Sequence, residues 1–384
     1  MKKTRFLFLI FLAVLASCST KESAENTEAT TIDFSYEIDT VEIDPGEHLI
    51  YITSGMRTAA VSTDKKILYN LNPDAPELEL IDLEALAYKE SLPLELEGPE
   101  GIGMNVSDFA VSEKEDFIFQ SYQSFIKANS KLDHFKSLKF QSEYLSGDTL
   151  KENEVINFYF GAIYSKDGDH LFATYSEQGL GAIIKGLAIV DLQTMALKKV
   201  PIPELESLVD FNITRTDENG IRWTNNPEQV WLIEANNKIY LTHTVRNEAF
   251  IYDLKAGSLS KKTFHSILTA DAKVGQYIKN TNSREEMRDA WAEKNKEVEF
   301  NTLIFDDTNR KFWRESQDLD HMIGDMRVMK SVLTVFDENL NQLHEQELDF
   351  SISEKMAFFK DGSLYSYINL EDELGFVRIK PSYE

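Results

Sequence analysis

Seven side chains in this 384-residue sequence could do chemistry: Arg57, Arg222, Trp223, His243, Arg246, Arg314 and His321. They fall in the segments SGMRTAA, TRTDENGIRWTNNPE, THTVRNE and RESQDLDHMIGDMRVMK, which also carry Arg215 and Arg327 and so pool more than half of the chain's 11 arginines. Guanidinium forks grip carboxylates and aromatic faces stack on sugars, so the chemistry on offer is capture of an anionic or sugar-like ligand. The competing reading is that exposed loops carry arginine for solubility and ion pairing.

The other motifs do not reach a reaction. GLGAIIKG, Gly179 to Gly186, has Ile184 where a phosphate loop requires glycine and no Lys-Ser or Lys-Thr after it, so it reads as a glycine-bearing hairpin. EGPEGIG, Glu97 to Gly103, opens no helix whose N-terminus could hold phosphate and reads as a connection. The histidines, 48, 134, 170, 243, 265, 321 and 344, show no metal-ligand spacing, and no metal or cofactor is expected. SKDGDH and NLEDELG lack calcium-loop spacing, and there is no G-x-S-x-G elbow. A carboxylate pair for glycoside chemistry cannot be selected from 65 acidic residues.

The elements that must position these loops repeat. An aliphatic or aromatic residue followed by an aromatic recurs as Leu68-Tyr69, Ile118-Phe119, Leu171-Phe172, Ile239-Tyr240, Phe312-Trp313 and Leu364-Tyr365, at intervals of 50, 53, 68, 73 and 52 residues. Each pair follows a polar turn and, before it, a short apolar run, which spells strand, tight turn, strand. A further strand downstream ends in aspartate at Asp82, Asp191, Asp253 and Asp337; an aspartate there caps the next turn and is not catalytic. In the second copy SLKFQSEYLSGD fits that further strand poorly. Six copies of this size predict an all-β chain, a six-bladed β-propeller whose last blade is completed by the alternating FSYEIDTVEI, Phe34 to Ile43. Two separate β domains are the alternative. Long connections and second-to-third loops then share one face, which places the seven residues at a channel mouth.

Between the fourth and fifth copies, NSREEMRDAWAEKNKEVEF predicts a helix with a Ser283/Glu286 capping box, inside an insertion of about 269–299. It would be a lid over the channel, or pack on the rim with Met287, Trp291 and Val298 inward.

The first residues set the address. Lys2, Lys3 and Arg5 precede an apolar run from Phe6 to Ala16, a secretory signal too short to span a bilayer. Leu15-Ala16-Ser17-Cys18 resembles the lipobox of bacterial lipoprotein precursors, which implies cleavage after Ser17 and acylation of Cys18, the chain's one cysteine. Ser19 to Thr31 has no large apolar residue and reads as a tether reaching about 20 Å, with residues 32–384 as the folded body. Lys21-Glu22 with Glu25 and Glu28 resembles the export signal that places some Bacteroidetes lipoproteins on the cell surface. Loss of residues 1–17 takes the net charge from −25 to −28, which repels nucleic acid.

In LASC, in VSTDKKILYNLNPDAPELELIDL running into LPLELEGPEGIG, and in SVLTVFDENLNQLHEQEL, the chain resembles a domain-of-unknown-function family of Bacteroidetes lipoproteins with a six-bladed propeller-like body. The resemblance implies location and shape and supplies no activity. The expectation is an outer-membrane lipoprotein, on the periplasmic face or the cell surface, that acts as a non-catalytic binding or scaffold module. Its partners would be the membrane, through the lipid anchor, and an envelope protein or glycan. The alternative is a propeller lyase or glycosidase working at the channel mouth.

Overall fold

Each aromatic pair lies in a strand flanked on both edges, and both members of every pair are buried. A strand covered on both faces reads as a continuous apolar run, whereas outer strands such as Ser258–Thr263 are exposed at nearly every residue. The computed structural model describes residues 32–121, 125–158, 161–179, 181–225, 227–353 and 356–384. The signal segment, Cys18 and the tether lie outside the described residues.

The chain is all-β, with sheets that follow one another in sequence. The first joins Ala59–Val61, Ile67–Asn72, Glu77–Asp82 and Ala87–Pro93. The second joins Val106–Val111, Phe117–Ser121, Phe125–Ala128 and Phe135–Leu138. In the third, Glu154–Asn157 and Ile163–Tyr164 both pair with His170–Glu177, followed outward by Ile183–Asp191, Ala196–Pro201 and a parallel Ser146–Gly147. The fourth holds Val230–Ala235, Lys238–His243, Glu248–Asp253 and Ser258–Thr263, and the fifth Glu299–Asp306, Lys311–Ile323, Met326–Asp337 and Gln342–Leu348. A closing sheet of Ala357–Lys360, Ser363–Leu370 and Glu373–Tyr383 takes Phe34–Glu42 as its fourth strand, in antiparallel register from Phe34 opposite Tyr383 to Glu42 opposite Gly375. The N-terminal alternating segment thus completes the last sheet, and Arg378 binds Asp39 across that register.

Apolar clusters join each sheet to the next. Leu71 and Leu78 pack with Phe109 and Phe119, Phe172 with Leu241 and Phe250, and Trp313 with Phe359 and Ile379. Phe376 and Ile43 of the closing sheet and its exit pack with Leu68 and Ile81 of the first. Gly161 shows how close the inner edges run: a Cβ there would lie 2.3 Å from the Val230 carbonyl oxygen.

Turn chemistry explains the repeat. Asp82, Asp191, Asp253 and Asp337 each accept two backbone N–H groups from the turn beyond them. The second sheet departs from the expected SLKFQSEYLSGD: its third strand is Phe125–Ala128, and Asn129 takes the place of aspartate, accepting from Asp133 and His134. An amide oxygen caps the turn as a carboxylate does.

Two expected loops are strands. RESQDLDHMIGDMRVMK forms a long hairpin turning at Gly324-Asp325, and TRTDENGIRWTNNPE supplies Ile213–Thr216 and Arg222–Asn225 to a small sheet with Asn280–Thr281. The predicted helix is present as Arg284–Lys294, with the Ser283 side chain accepting from Glu286 N. Ala290, Lys294 and Val298 are buried, so the segment packs inward.

Candidate functional site

The seven sequence-predicted residues separate into two groups. Arg57, Arg222, Trp223 and His321 are exposed. Trp223 stands opposite Arg215 in the small sheet, with the guanidinium 4.4 Å above its ring, and His321 Nδ1 lies 2.7 Å from Asp320 on the long hairpin. His243, Arg246 and Arg314 serve the interior instead. His243 Nδ1 accepts from Val245 and Arg246 N–H groups, so Nε2 carries the proton and donates to Glu248 at 3.0 Å. Burial lowers the His243 pKa. Burial opposes charge on Glu248 too, but hydrogen bonds from His243 and Lys261 outweigh it and hold the carboxyl at about 2. Arg246 is tied to Glu248, the Glu204 carbonyl and Ser207.

Arg314 is 1% exposed and sits among the rings of Phe264, Phe300 and Phe336 at 5.2 to 5.4 Å. One nitrogen donates to Asn247 Oδ1, while Nε and Nη1 have no partner among the described residues. Burial lowers its pKa to about 10, so it stays cationic at neutral pH. His243 and Arg314 therefore do not reach a channel mouth, because each fills a space between sheets.

Sequence reading missed a row of polar groups on inner strands. Asp108, Tyr164, Trp231 and Asn301 lie on the innermost strands of the second, third, fourth and fifth sheets. Burial pushes the Asp108 carboxyl up to about 6 against a hydrogen bond from Phe109 N–H, and raises the Tyr164 hydroxyl with help from the Asp108 charge. Tyr164 Oη and Trp231 Nε1 have no partner among the described residues. Trp231, Asn301 and Thr302 border a cavity of about 30 Å3 with Glu315, which accepts from Ile352 N and Asn301 through Oε2 and leaves Oε1 free. That volume suits one water and excludes a sugar. The nearest sequence signal was the polar run Arg314-Glu315-Ser316 after an aromatic pair, echoed by Asn70 and Gln120.

Two larger clefts, about 290 and 360 Å3, lie between neighbouring sheets at the turns. Three of their lysines are engaged: Lys127 with Asp116 and the Gly168 carbonyl, Lys136 with the Leu192 carbonyl, and Lys262 with the Asn339 carbonyl and Asn341.

The insertion end differs from these clefts. Ile221, Trp223, Val274, Ile278, Met322, Ile323 and Met326, borne by the small sheet's hairpin, the insertion and the tip of the long hairpin, are 39 to 68% exposed. Polar bonds tie these segments to the body, buried around Glu228 and exposed at Asp318 and Arg327. Glu228, with a side chain 2% exposed, binds Lys273 at 2.8 Å and Lys294 of the helix at 2.7 Å, and Thr244 donates to it. Burial raises the Glu228 pKa, yet the two ammonium groups outweigh it and the net shift is downward. Tyr277 and Lys294 both donate to the Phe211 carbonyl, Ala270 N to Asp318, and Arg327 to the Asn295 carbonyl. A surface rich in exposed apolar side chains is of the kind that binds another surface.

A family profile described as a domain of unknown function, DUF4221, matches residues 31–347. The chain belongs to that family. A crystal structure of a DUF4221 member from Bacteroides vulgatus is similar over 93% of this chain and 100% of its own, at 13% identity and a TM-score of 0.64. A Bacteroides fragilis protein inferred to be exported is similar over 91% of this chain and 95% of its own, at 9% identity and a TM-score of 0.51. At such identities the likeness concerns fold alone. No curated protein matches the chain in sequence.

Proposed function

We propose that this DUF4221 chain is a lipid-anchored, non-catalytic binding module of the cell envelope, which presents its insertion end to a protein partner. Its body is read as a six-bladed β-propeller, a reading supported by six successive sheets, apolar clusters between neighbours and the N-terminal strand in the closing sheet. Cys18 is the anchor, in the outer membrane, with residues 19–31 as tether.

One observation carries the choice of partner: the exposed apolar tip and the start of the folded body lie at opposite ends of the fifth sheet. Ile32 N donates to the Leu343 carbonyl, and Phe34 packs on Trp313 and His344. Met322, Ile323 and Met326 are ten or so residues further along the same hairpin, about 30 Å away at some 3.3 Å per residue. A tether leaving at Ile32 directs that tip away from the bilayer. The glycan reading has weaker support, since Arg314 and His243 are buried, leaving Trp223 with Arg215 stacked on it as the exposed pair among the residues singled out from sequence. An enzymatic reading would use Asp108 and Tyr164, neither of which borders the clefts described above.

The test is cross-linking in intact cells through a photoreactive residue at position 323, followed by mass spectrometry. A discrete protein adduct that disappears when Met322→Ser/Met326→Ser are added to the chain carrying the photoreactive residue is expected. Adducts only to lipid or glycan would refute the protein partner. Palmitate incorporation lost in Cys18→Ser tests the anchor separately.

A further inference from the structure

The loop 43–58, which leads from the closing sheet into the first, brings His48 against two carboxylates. His48 Nε2 lies 2.9 Å from Glu79 Oε1 and 3.8 Å from Glu77 Oε1. The three ligand atoms all fall within 4.8 Å of one another. Glu77 and Glu79 are two apart on the strand Glu77–Asp82, so their side chains project from one face of the first sheet. We propose that His48, Glu77 and Glu79 form a divalent transition-metal site, of the kind that takes zinc, at the seam between the first and closing sheets.

The surroundings hold each ligand in place. The His48 ring is stacked on Tyr88 at 4.1 Å and 12°, and Tyr88 is itself bonded to Ser91. Glu79 is fully buried, and its carboxylate accepts from Tyr51 N at 3.1 Å and from Asn70 Nδ2 at 2.6 Å. Partners that orient first ligands are characteristic of metal sites. Asn70, 0% exposed, spends both amide hydrogens on Glu79 and the Tyr51 carbonyl, and its Oδ1 has no partner among the described residues. A buried, unanswered acceptor on the residue that orients Glu79 is a second feature that an ordinary buried ion pair leaves unexplained.

The ligand chemistry selects the ion class. One imidazole and two carboxylates suit zinc or a neighbouring first-row ion, whereas calcium takes six to eight oxygens and this site offers few. Zinc at about 2.0 Å from each ligand in tetrahedral geometry sets ligand atoms about 3.3 Å apart, and the two measured spans from Nε2 bracket that value. His48 and Glu77 side chains are 24% and 23% exposed, which leaves a solvent-facing position for a fourth ligand. On binding, the ion takes the place of the proton between Nε2 and Glu79; the neutral ring then carries its single proton on Nδ1, and any second proton is released to solvent. The site would fasten loop 43–58 to the first sheet.

The experiment is zinc titration by calorimetry of the full chain carrying Cys18→Ser, which removes the thiol as a competing ligand. One zinc per chain is expected. Glu77→Gln, whose carboxylate makes no short hydrogen bond within the fold, should weaken binding about tenfold or more while leaving the metal-free Tm unchanged, and His48→Gln should abolish the tight site. Zinc affinity unchanged in both variants would overturn the proposal, as would calcium binding in preference to zinc or the absence of a one-to-one isotherm in the parent chain.

Discussion

Glu228→Gln is the most severe conservative change the structure offers. The substitution keeps the shape of the side chain and removes the charge that two buried lysines share; the Lys273 and Lys294 side chains are each 3% exposed. Breaking a buried ion pair by removing one partner costs roughly 3–5 kcal/mol, because the remaining charge is left uncompensated, and here two charges remain. At roughly 2–4 °C per kcal/mol for a chain of this size, Tm should fall by about 6–20 °C if the whole body unfolds together. The alternative route is local release of residues 264–298, which would cap the loss in Tm and appear as faster amide exchange confined to that segment. Hydrogen exchange by mass spectrometry beside a calorimetric melt separates the two. The triple variant Glu228→Leu/Lys273→Met/Lys294→Met should recover much of the loss, since apolar replacement of a whole buried ion cluster is often neutral or stabilising. A Glu228→Gln protein that melts within 1 °C of the parent, with unchanged exchange at 273–298, would refute the reasoning. The pH dependence has a definite sign: the Glu228 pKa is lowered in the folded state, so its contribution is complete at pH 7 and fades as pH falls through the folded value.

Other perturbations probe the inner row, the seam and the apolar end. Asp108, held at about 6, favours the fold when protonated and opposes it as pH rises through 6; Asp108→Asn should be neutral near pH 4 and stabilise by up to about 3 kcal/mol at pH 8, by urea unfolding. Asp39→Asn should cost under about 1 kcal/mol, because the Arg378 bridge is exposed, whereas deleting residues 32–42 should abolish cooperative melting by uncovering Phe376 and Ile379. Met322→Ser/Met326→Ser should leave Tm unchanged within experimental scatter while the adduct from position 323 is lost, since side chains 39 and 68% exposed contribute little to the core.

The repeat was legible because its causes are local. A flanked strand needs consecutive apolar residues, which produced the six pairs from Leu68-Tyr69 to Leu364-Tyr365, and each turn needs a side-chain oxygen, which produced Asp82, Asp191, Asp253 and Asp337. Where a different residue met the same need, as Asn129 does, the pattern was missed. The helix was found from Ser283 and Glu286 because a cap is set within four residues. Residues 314–330 of the long hairpin read as a loop because polar residues, Asp318 and Asp320 among them, interrupt the apolar run, and pairing between the two arms decides the outcome there.

Residue type and short-range spacing settled most strands and turns and the alternation of Phe34–Glu42, and missed the strands at 125–128, 213–216 and 222–225. They could not settle which arginine faces water. Arg222 and Arg314 look alike in their segments, yet one is exposed and the other is enclosed by Phe264, Phe300 and Phe336, which come from three distant strands and connections. The same holds for His48 with Glu77 and Glu79, and for Lys273 and Lys294 with Glu228, which lie 29 to 66 positions apart. Burial and ion pairing depend on what stands across the gap between two sheets, and only the folded chain brings those partners within reach.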